Sequence, residues 1–271
     1  MKHFNRKAFF DAIRPLFGKL STEQVAGMTA LLNVWEARYS HFQNELLAYC
    51  LATSYHETAY RMQPVRETLA DNDSTAIRRL NHAYNKGQMR YVSKPYWRKD
   101  SNGRAWFGRG HVQLTHQRNY TKAGRKLGVA LDQDPGLALD PEISARILFS
   151  GCIDGWFTKY KLLDYVKKDS TDFYNARKVV NPGDKKTYKP IEGYANQFLA
   201  ALGRSERTKG DRQVPTSTEI GAGAVVATVP VVVGATNPEW VPYALAGFGV
   251  GVIGLLTAMI VRRKWKERKN A

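Results

Sequence analysis

Cysteine is scarce in this chain, whose 271 residues include only Cys50 and Cys152. Small secreted domains are often held by several disulfides, and two cysteines in apolar surroundings do not form such a framework. We therefore expect two buried free thiols. The basic N-terminus continues into an amphipathic pattern rather than an apolar core, so no secretory signal peptide is predicted.

Acidic residues are few relative to basic ones. The chain has 41 Lys and Arg against 24 Asp and Glu, which gives a net charge of +17. Such a balance favours polyanionic partners, namely nucleic acid, anionic lipid or the acidic polymers of a cell envelope. No zinc-finger spacing or other nucleic-acid motif accompanies the charge, and charge alone does not choose among these partners.

Two common cofactor motifs are incomplete. The His-Glu pair at 56–57 resembles the start of a zinc-protease motif, but the second histidine is replaced by Tyr60. Glycines at 108 and 110 resemble the start of a dinucleotide-binding loop, but the third glycine is replaced by Gln113. Because both motifs lack a required residue, the sequence implies no metal or organic cofactor.

The segment from residue 54 to residue 69 carries two glutamates. Glu57 closes an apolar helical pattern that begins near Gln43, and Glu67 lies just beyond Pro64, which should interrupt any continuing helix. Most glutamate pairs at this separation are surface charges. If a helix end and the segment after it face one cleft, however, the two carboxylates suit glycoside hydrolysis, in which one donates a proton and the other activates water or attacks.

Helical periodicity extends over much of the rest of residues 1–203. An amphipathic pattern covers residues 5–17, and Ser21 begins a capping sequence for a helix that continues through Trp35. A further helix is predicted over residues 76–83. The fold class indicated is mainly α.

The segment from 104 to 120 offers polar groups at short spacings. Gln113, Thr115 and Asn119 would suit the binding of a hydroxyl-rich ligand or a water molecule. Upstream, Tyr96 and Trp97 could form a cleft wall on which sugars stack, or they could simply hold a long loop in place.

These motifs together resemble glycoside hydrolase family 19. The resemblance is carried by His-Glu-Thr at 56–58, by Glu67 and by Phe-Gly-Arg-Gly-His-Val-Gln-Leu-Thr at 107–115. Further similar segments lie at 133–141, 156–157, 175–181 and 191–194. The family contains chitinases and phage endolysins, and this chain is more similar to the endolysins because it is compact and lacks the disulfides and the chitin-binding module of the chitinases.

The resemblance implies a lysozyme-like, two-lobed helical domain over residues 1–203 that hydrolyses a β-1,4 linkage with inversion. Glu57 would be the general acid, Glu67 the general base, and Thr115 the hydroxyl that holds the attacking water. Gln113, Asn119 and Asn181 match polar groups that line the family's substrate cleft, and His56 and Tyr96 complete the predicted set of substrate-binding residues. The chain departs from the family pattern at several positions, which include His111, Arg118, Pro182 and Lys189.

The C-terminal part has a different composition. A polar linker is predicted over residues 204–219, followed by an uncharged run over 220–236, an uncharged run over 241–261 and a basic tail over 262–271. The second run has the length of a membrane span, and the first is either a second span or an apolar linker. A helical hairpin is preferred because it keeps both basic flanks on the cytoplasmic side.

The predicted function is an endolysin-like hydrolase of peptidoglycan glycan strands, anchored in the bacterial inner membrane by its C-terminal segments and acting on the periplasmic cell wall. Its predicted partners are the glycan strands and inner-membrane lipid, with no nucleic acid and no protein partner. Alternatives are a chitinase, a lytic transglycosylase with one catalytic glutamate, a non-catalytic wall-binding module, and a holin-like membrane protein.

Overall fold

A computed structural model describes residues 3–89, 92–167 and 170–206, and over these residues the chain is mainly helical, as predicted. The helices are α1 (Arg6–Phe17), α2 (Thr22–Arg38), α3 (Asn44–Glu57), α4 (Asp73–Asn85), α5 (Gln117–Leu127), α6 (Pro141–Asp154), α7 (Phe173–Ala176) and α8 (Tyr188–Ser205). Short 3₁₀ turns cover Glu67–Leu69, Pro135–Leu139, Leu162–Asp164, Arg177–Val179 and Lys185–Thr187.

Local sequence signals account for the start of α2. The Ser21 hydroxyl accepts from the backbone N–H of Gln24, and the Gln24 side chain accepts from the backbone N–H of Ser21. This reciprocal capping box satisfies two donors that the first helical turn would otherwise leave unpaired. The helix start predicted at Ser21 is confirmed.

The central helix is α3, in which every residue except Glu45 is buried. It packs against α8 and α6, while α1 covers another side of α8. A helix that is apolar on all sides has to lie in the core of its domain. The last residue of this helix is Glu57, so the core itself fixes the position of the first candidate carboxylate.

Two short antiparallel strand pairs complete the fold. Strand β1 (Val65–Arg66) pairs with β2 (Arg109–Gly110), with Val65 opposite Gly110. Strand β3 (Val166–Lys167) pairs with β4 (Ser170–Thr171). The first pair matters for the site, because it joins the segment after α3 to the glycine-rich segment that precedes α5.

The buried apolar residues form two clusters. The larger cluster contains the apolar faces of α1, α2, α3, α6 and α8, and both cysteines lie in it as buried free thiols. The smaller cluster joins α4 to residues around Trp97 and Phe107. Two clusters of this kind agree with the two-lobed arrangement that the resemblance implies.

The membrane predictions concern another part of the chain. The membrane segments at 220–261, the basic tail at 262–271 and all but the first residues of the linker at 204–219 lie outside the described residues, so they stay predictions. Within residues 3–89, 92–167 and 170–206, no helix combines the length and the hydropathy that a membrane span requires.

Candidate active site

Glu57 is buried at the C-terminal end of α3, with 5% of its surface exposed. Its Oε1 accepts a hydrogen bond of 2.8 Å from Nη1 of Arg177, which is itself fully buried. Arg177 lies at the start of a 3₁₀ turn, where its Nε donates to the Thr187 hydroxyl at 3.0 Å. The guanidinium therefore links the end of α3 to the segment that precedes α8.

The proton affinity of Glu57 is set by two opposing effects. Burial favours the neutral carboxylic acid, and the Arg177 guanidinium favours the carboxylate. Burial is the larger effect and raises the pKa of Glu57 from 4.5 to about 7, with a smaller upward contribution from the charge of Asp184. A carboxyl with this pKa can hold a proton and release it near neutral pH, which is what a general acid has to do.

Glu67 lies directly after β1 and has a different set of partners. Its Oε2 accepts a 2.7 Å hydrogen bond from the backbone N–H of Gly108, and its Oε1 accepts a 2.8 Å bond from the Tyr96 hydroxyl. Burial raises the pKa of Glu67, and the two donors oppose that rise because they stabilise the ionised form. The carboxylate is held in one orientation by donors from two separate segments.

The backbone around Gly108 explains why this segment requires glycine. A Cβ atom at Gly108 would lie 2.8 Å from Oε1 of Gln113 and 3.3 Å from the Thr115 hydroxyl, closer than side-chain atoms normally approach. The backbone N–H of Glu67 also donates to the carbonyl of Gly108 at 2.7 Å. Gly108 therefore brings the second carboxylate against the polar 113–115 segment.

An open cleft of about 440 Å³ contains most of the predicted site residues. The predicted residues that line it are Glu67, Tyr96, Gln113, Thr115, Asn119 and Asn181, and Phe157, Thr158 and Pro182 are among the other lining residues. The structure thus brings together six predicted residues from four segments that are separate in the sequence. No group of three or more His, Cys, Asp or Glu side chains that could hold a metal ion occurs in the described parts of the chain.

Hydrogen bonds orient the polar groups of the cleft. The Thr115 hydroxyl donates to the Gln113 carbonyl at 2.7 Å, and the Asn119 amide donates to the Thr115 carbonyl at 2.7 Å. The Thr115 oxygen keeps its lone pairs available to accept from a water molecule. The Gln113 amide nitrogen is used within the protein, since it donates to the Val65 and Gly110 carbonyls.

Glu57 and His56 are placed differently from the other predicted residues, because neither belongs to the lining of this cleft. Glu57 is bonded to Arg177, and the chain that follows Arg177 contributes the lining residues from Val180 to Gly183. His56 is 3% exposed, and burial lowers its pKa to about 3. A contact between His56 and substrate stays a prediction.

His111, one of the departures from the family pattern, has a role inside the protein. Its ring Nδ1 lies 2.8 Å from the Ser54 hydroxyl, and its backbone N–H donates to the Ser144 hydroxyl at 2.8 Å. Burial lowers its pKa to about 3, so the ring is neutral at ordinary pH. These contacts tie the glycine-rich segment to α3 and α6.

The sequence reasoning missed two residues that shape the environment of Glu57. Arg177 lies in a segment that resembles the family, but no property of the sequence connects it to Glu57, which is 120 residues away. Asp184 is half-buried, its Oδ2 atom is buried without a hydrogen-bond partner, and burial raises its pKa. The one available signal was that Arg177 lies within the 175–181 segment that resembles the family.

Comparison with known protein families gives a match over residues 41–166, to the model of glycoside hydrolase family 19, described as chitinase class I. Endochitinase 4 of Solanum tuberosum is 46% identical over 57 residues, which cover 21% of this chain and 18% of that protein. The basic 30 kDa endochitinase of Solanum lycopersicum is also 46% identical over 57 residues, covering 21% of this chain and 16% of that protein. The chain spans less than a fifth of the length of these curated relatives.

Among solved structures, chitinase C from Streptomyces griseus HUT6037 aligns with a TM-score of 0.49 at 18% identity, covering 74% of this chain and 76% of that chain. The family match is the more informative comparison, because it includes the helix that ends at Glu57 and the segment that holds Glu67. Residues 41–166, a little under half of the chain, therefore match the model of glycoside hydrolase family 19.

Proposed function

We propose that the chain is an inverting glycoside hydrolase that cleaves β-1,4 linkages of bacterial peptidoglycan and is held at the inner membrane by its C-terminal segments. The observation that carries the proposal is the pair of buried glutamates in unlike environments. Glu57 faces one guanidinium and has a pKa of about 7, whereas Glu67 receives two neutral donors at the cleft surface. Unlike environments are what an acid and a base in one site require.

The chemistry follows from the two environments. Glu57, in its protonated form, donates its proton to the leaving glycosidic oxygen as the bond to the anomeric carbon breaks. Glu67, in its ionised form, takes a proton from a water molecule whose oxygen bonds to the anomeric carbon from the opposite face. The Thr115 hydroxyl would hold that water, and the configuration at the anomeric carbon is inverted.

Arg177 allows Glu57 to work repeatedly. Once its proton is donated, Glu57 is a buried carboxylate, and the guanidinium 2.8 Å away stabilises that charge. The proton then returns from solvent, because a pKa near 7 makes both states accessible at neutral pH.

Peptidoglycan is proposed as the substrate because the protein is strongly basic. The glycan strands of peptidoglycan carry anionic substituents, which a basic protein attracts. The membrane segments at 220–261 would keep the enzyme close to the wall. Chitin is the second candidate substrate, and it is favoured by the endochitinase names of the aligned relatives.

The test is reducing-end release by the full chain, purified in non-ionic detergent, from peptidoglycan and from soluble chitin oligomers. Glu57→Gln and Glu67→Gln are compared with wild type, and Glu45→Gln on the same helix as Glu57 is the control. Both site variants should lose about a hundredfold or more, the usual effect of removing a general acid or base. Proton NMR of the first product should show the inverted anomer.

Each other outcome points to a different function. An active Glu67→Gln variant with anhydro product ends would indicate a lytic transglycosylase. Cleavage of chitin alone would move the substrate assignment to chitin. Wall binding without any cleavage by wild type would refute the hydrolase and leave a wall-binding module.

A further inference from the structure

Helix α5 presents an exposed basic face next to the cleft. Its buried side consists of Tyr120, Ala123 and Gly124, which pack onto the domain. Four exposed cations, Arg118, Lys122, Arg125 and Lys126, lie among the residues that line an open hollow of about 700 Å³ on the other side. The helix contains no acidic residue.

Some exposed basic residues of the described surface have acidic partners, whereas the cations of this face have none there. Lys7 is paired with Asp11, and Arg38 is paired with Glu142. By contrast, none of the four α5 cations forms an ion pair with any residue in 3–89, 92–167 or 170–206. Arg118, Lys122 and Lys126 follow one another at intervals of four residues, a spacing at which like charges repel and weaken a helix. A bound anion would offset that repulsion.

The hollow adjoins the cleft at Arg118. Arg118 lines both, and Asn119 next to it lines the cleft. From Arg118 the row of cations runs about 12 Å along the helix axis to Lys126, at about 1.5 Å per residue. If the sugars of a polymer occupy the cleft, the substituents that branch from its strand would lie over this row of cations.

We propose that the α5 face binds the carboxylates of the peptide stems that branch from a glycan strand seated in the cleft, and that it thereby selects peptidoglycan over neutral glycans. This rests on the proposed function in so far as the cleft binds a glycan. The chemistry fits because peptide stems carry several carboxylates, whereas chitin carries none. The row of cations begins at Arg118, which also lines the cleft. This position favours a branched glycan over nucleic acid or lipid, which need no sugar site.

The test variant is Arg125→Gln/Lys126→Gln in the full chain, because these two residues lie outside the cleft and have no hydrogen bond to preserve in the described structure. Lys122 is left in place since its Nζ donates to the Trp156 carbonyl. Lys19→Gln/Lys86→Gln is the control, as it removes the same charge from exposed positions away from both the cleft and the hollow.

Cleavage is measured on intact peptidoglycan, on the same peptidoglycan after an amidase has removed its stems, and on chitin oligomers. On intact peptidoglycan the α5 variant should raise KM roughly three- to tenfold with kcat unchanged, the scale for losing two exposed charge pairs. On chitin oligomers, which carry no carboxylate, its KM should equal that of wild type. On the stem-free strands, which keep only the lactyl carboxylate of each muramic acid, the rise in KM should be smaller than on intact peptidoglycan. The effect should also vanish at high salt, because exposed charges are screened.

An equal rise in KM on all three glycans, or an equal rise in the Lys19→Gln/Lys86→Gln control, would refute the proposal. Sedimentation of the protein with insoluble peptidoglycan, with the stem-free strands and the chitin oligomers added as soluble competitors, separates this result from failure of the proposed function. Stem-dependent binding that requires Arg125 and Lys126, without any cleavage, would support the surface and refute the hydrolase. Loss of binding to DNA or anionic vesicles in the α5 variant, with no change on peptidoglycan, would assign the surface to another polyanion.

Discussion

The pKa of Glu57 should make the stability of the protein depend on pH in a way that the Glu57→Gln variant lacks. In the unfolded chain this carboxyl has its ordinary pKa of 4.5, and in the folded protein the pKa is about 7. Below about pH 4.5 both states hold the proton. As the pH rises toward 7, the unfolded chain releases it while the folded protein keeps it, so the stability that Glu57 contributes is lost over this interval.

The size of the effect follows from the two pKa values. Each pKa unit corresponds to about 1.4 kcal/mol, so the rise from 4.5 to about 7 corresponds to about 3 kcal/mol of lost stability above neutral pH. The interaction with Arg177 is already contained in this folded-state pKa, because wild-type Glu57 is itself neutral below about pH 7. Any further difference between glutamine and the neutral acid does not change with pH, because glutamine does not titrate.

The assay is urea unfolding of both proteins, followed by tryptophan fluorescence, at several values from about pH 4.5 to about pH 8.5. We expect the stability of wild type relative to Glu57→Gln to fall by about 3 kcal/mol across this range. Glu45→Gln controls for the loss of a carboxylate from α3. A difference that stays constant with pH would contradict the reasoning, since it would mean that Glu57 has the same proton affinity in both states.

Three other substitutions test the rest of the site. Tyr96→Phe removes a donor that stabilises the ionised form of Glu67. The pKa of Glu67 should therefore rise further, and the acidic limb of the kcat/KM–pH profile should move to higher pH. An unmoved limb would exclude Glu67 as the base. Gly108→Ala should lower the free energy of unfolding by about 1–3 kcal/mol and reduce cleavage, because the new Cβ atom would lie 2.8 Å from Oε1 of Gln113. A variant with the activity and the stability of wild type would contradict this close packing. Arg109→Met should cost about 1–3 kcal/mol of unfolding free energy, since it removes buried hydrogen bonds to the Ala105 carbonyl and the Tyr120 hydroxyl. Its ionic partner Asp73 is half exposed and keeps Arg66, so the loss of that pair adds little. An unchanged free energy of unfolding would show that these bonds are dispensable.

Local patterns predicted the elements that carry the first carboxylate. The apolar periodicity from Gln43 to Glu57 indicated a helix ending at Glu57, and α3 ends there. The capping sequence at Ser21 indicated the start of α2. Both signals involve groups within a few residues of each other, which is why periodicity and capping chemistry reveal them.

Long-range contacts escaped the same reasoning. The bond from Arg177 to Glu57 joins residues 120 apart in the chain, and the bond from Gly108 to Glu67 uses a backbone N–H that carries no mark in the sequence. The spacing of polar and apolar residues in α5 could indicate that one face of the helix is exposed. It could not indicate that this face meets the cleft at Arg118.

The amino-acid order was thus sufficient for the helical class, for the location of Glu57 and Glu67, and for the family resemblance, because each depends on residue types at fixed short spacings. Folding alone settled which of these residues share a cleft and how their protons are held. Burial, the guanidinium of Arg177 and the donors from Gly108 and Tyr96 give the two glutamates their unlike environments, and those effects exist only once distant segments have packed together.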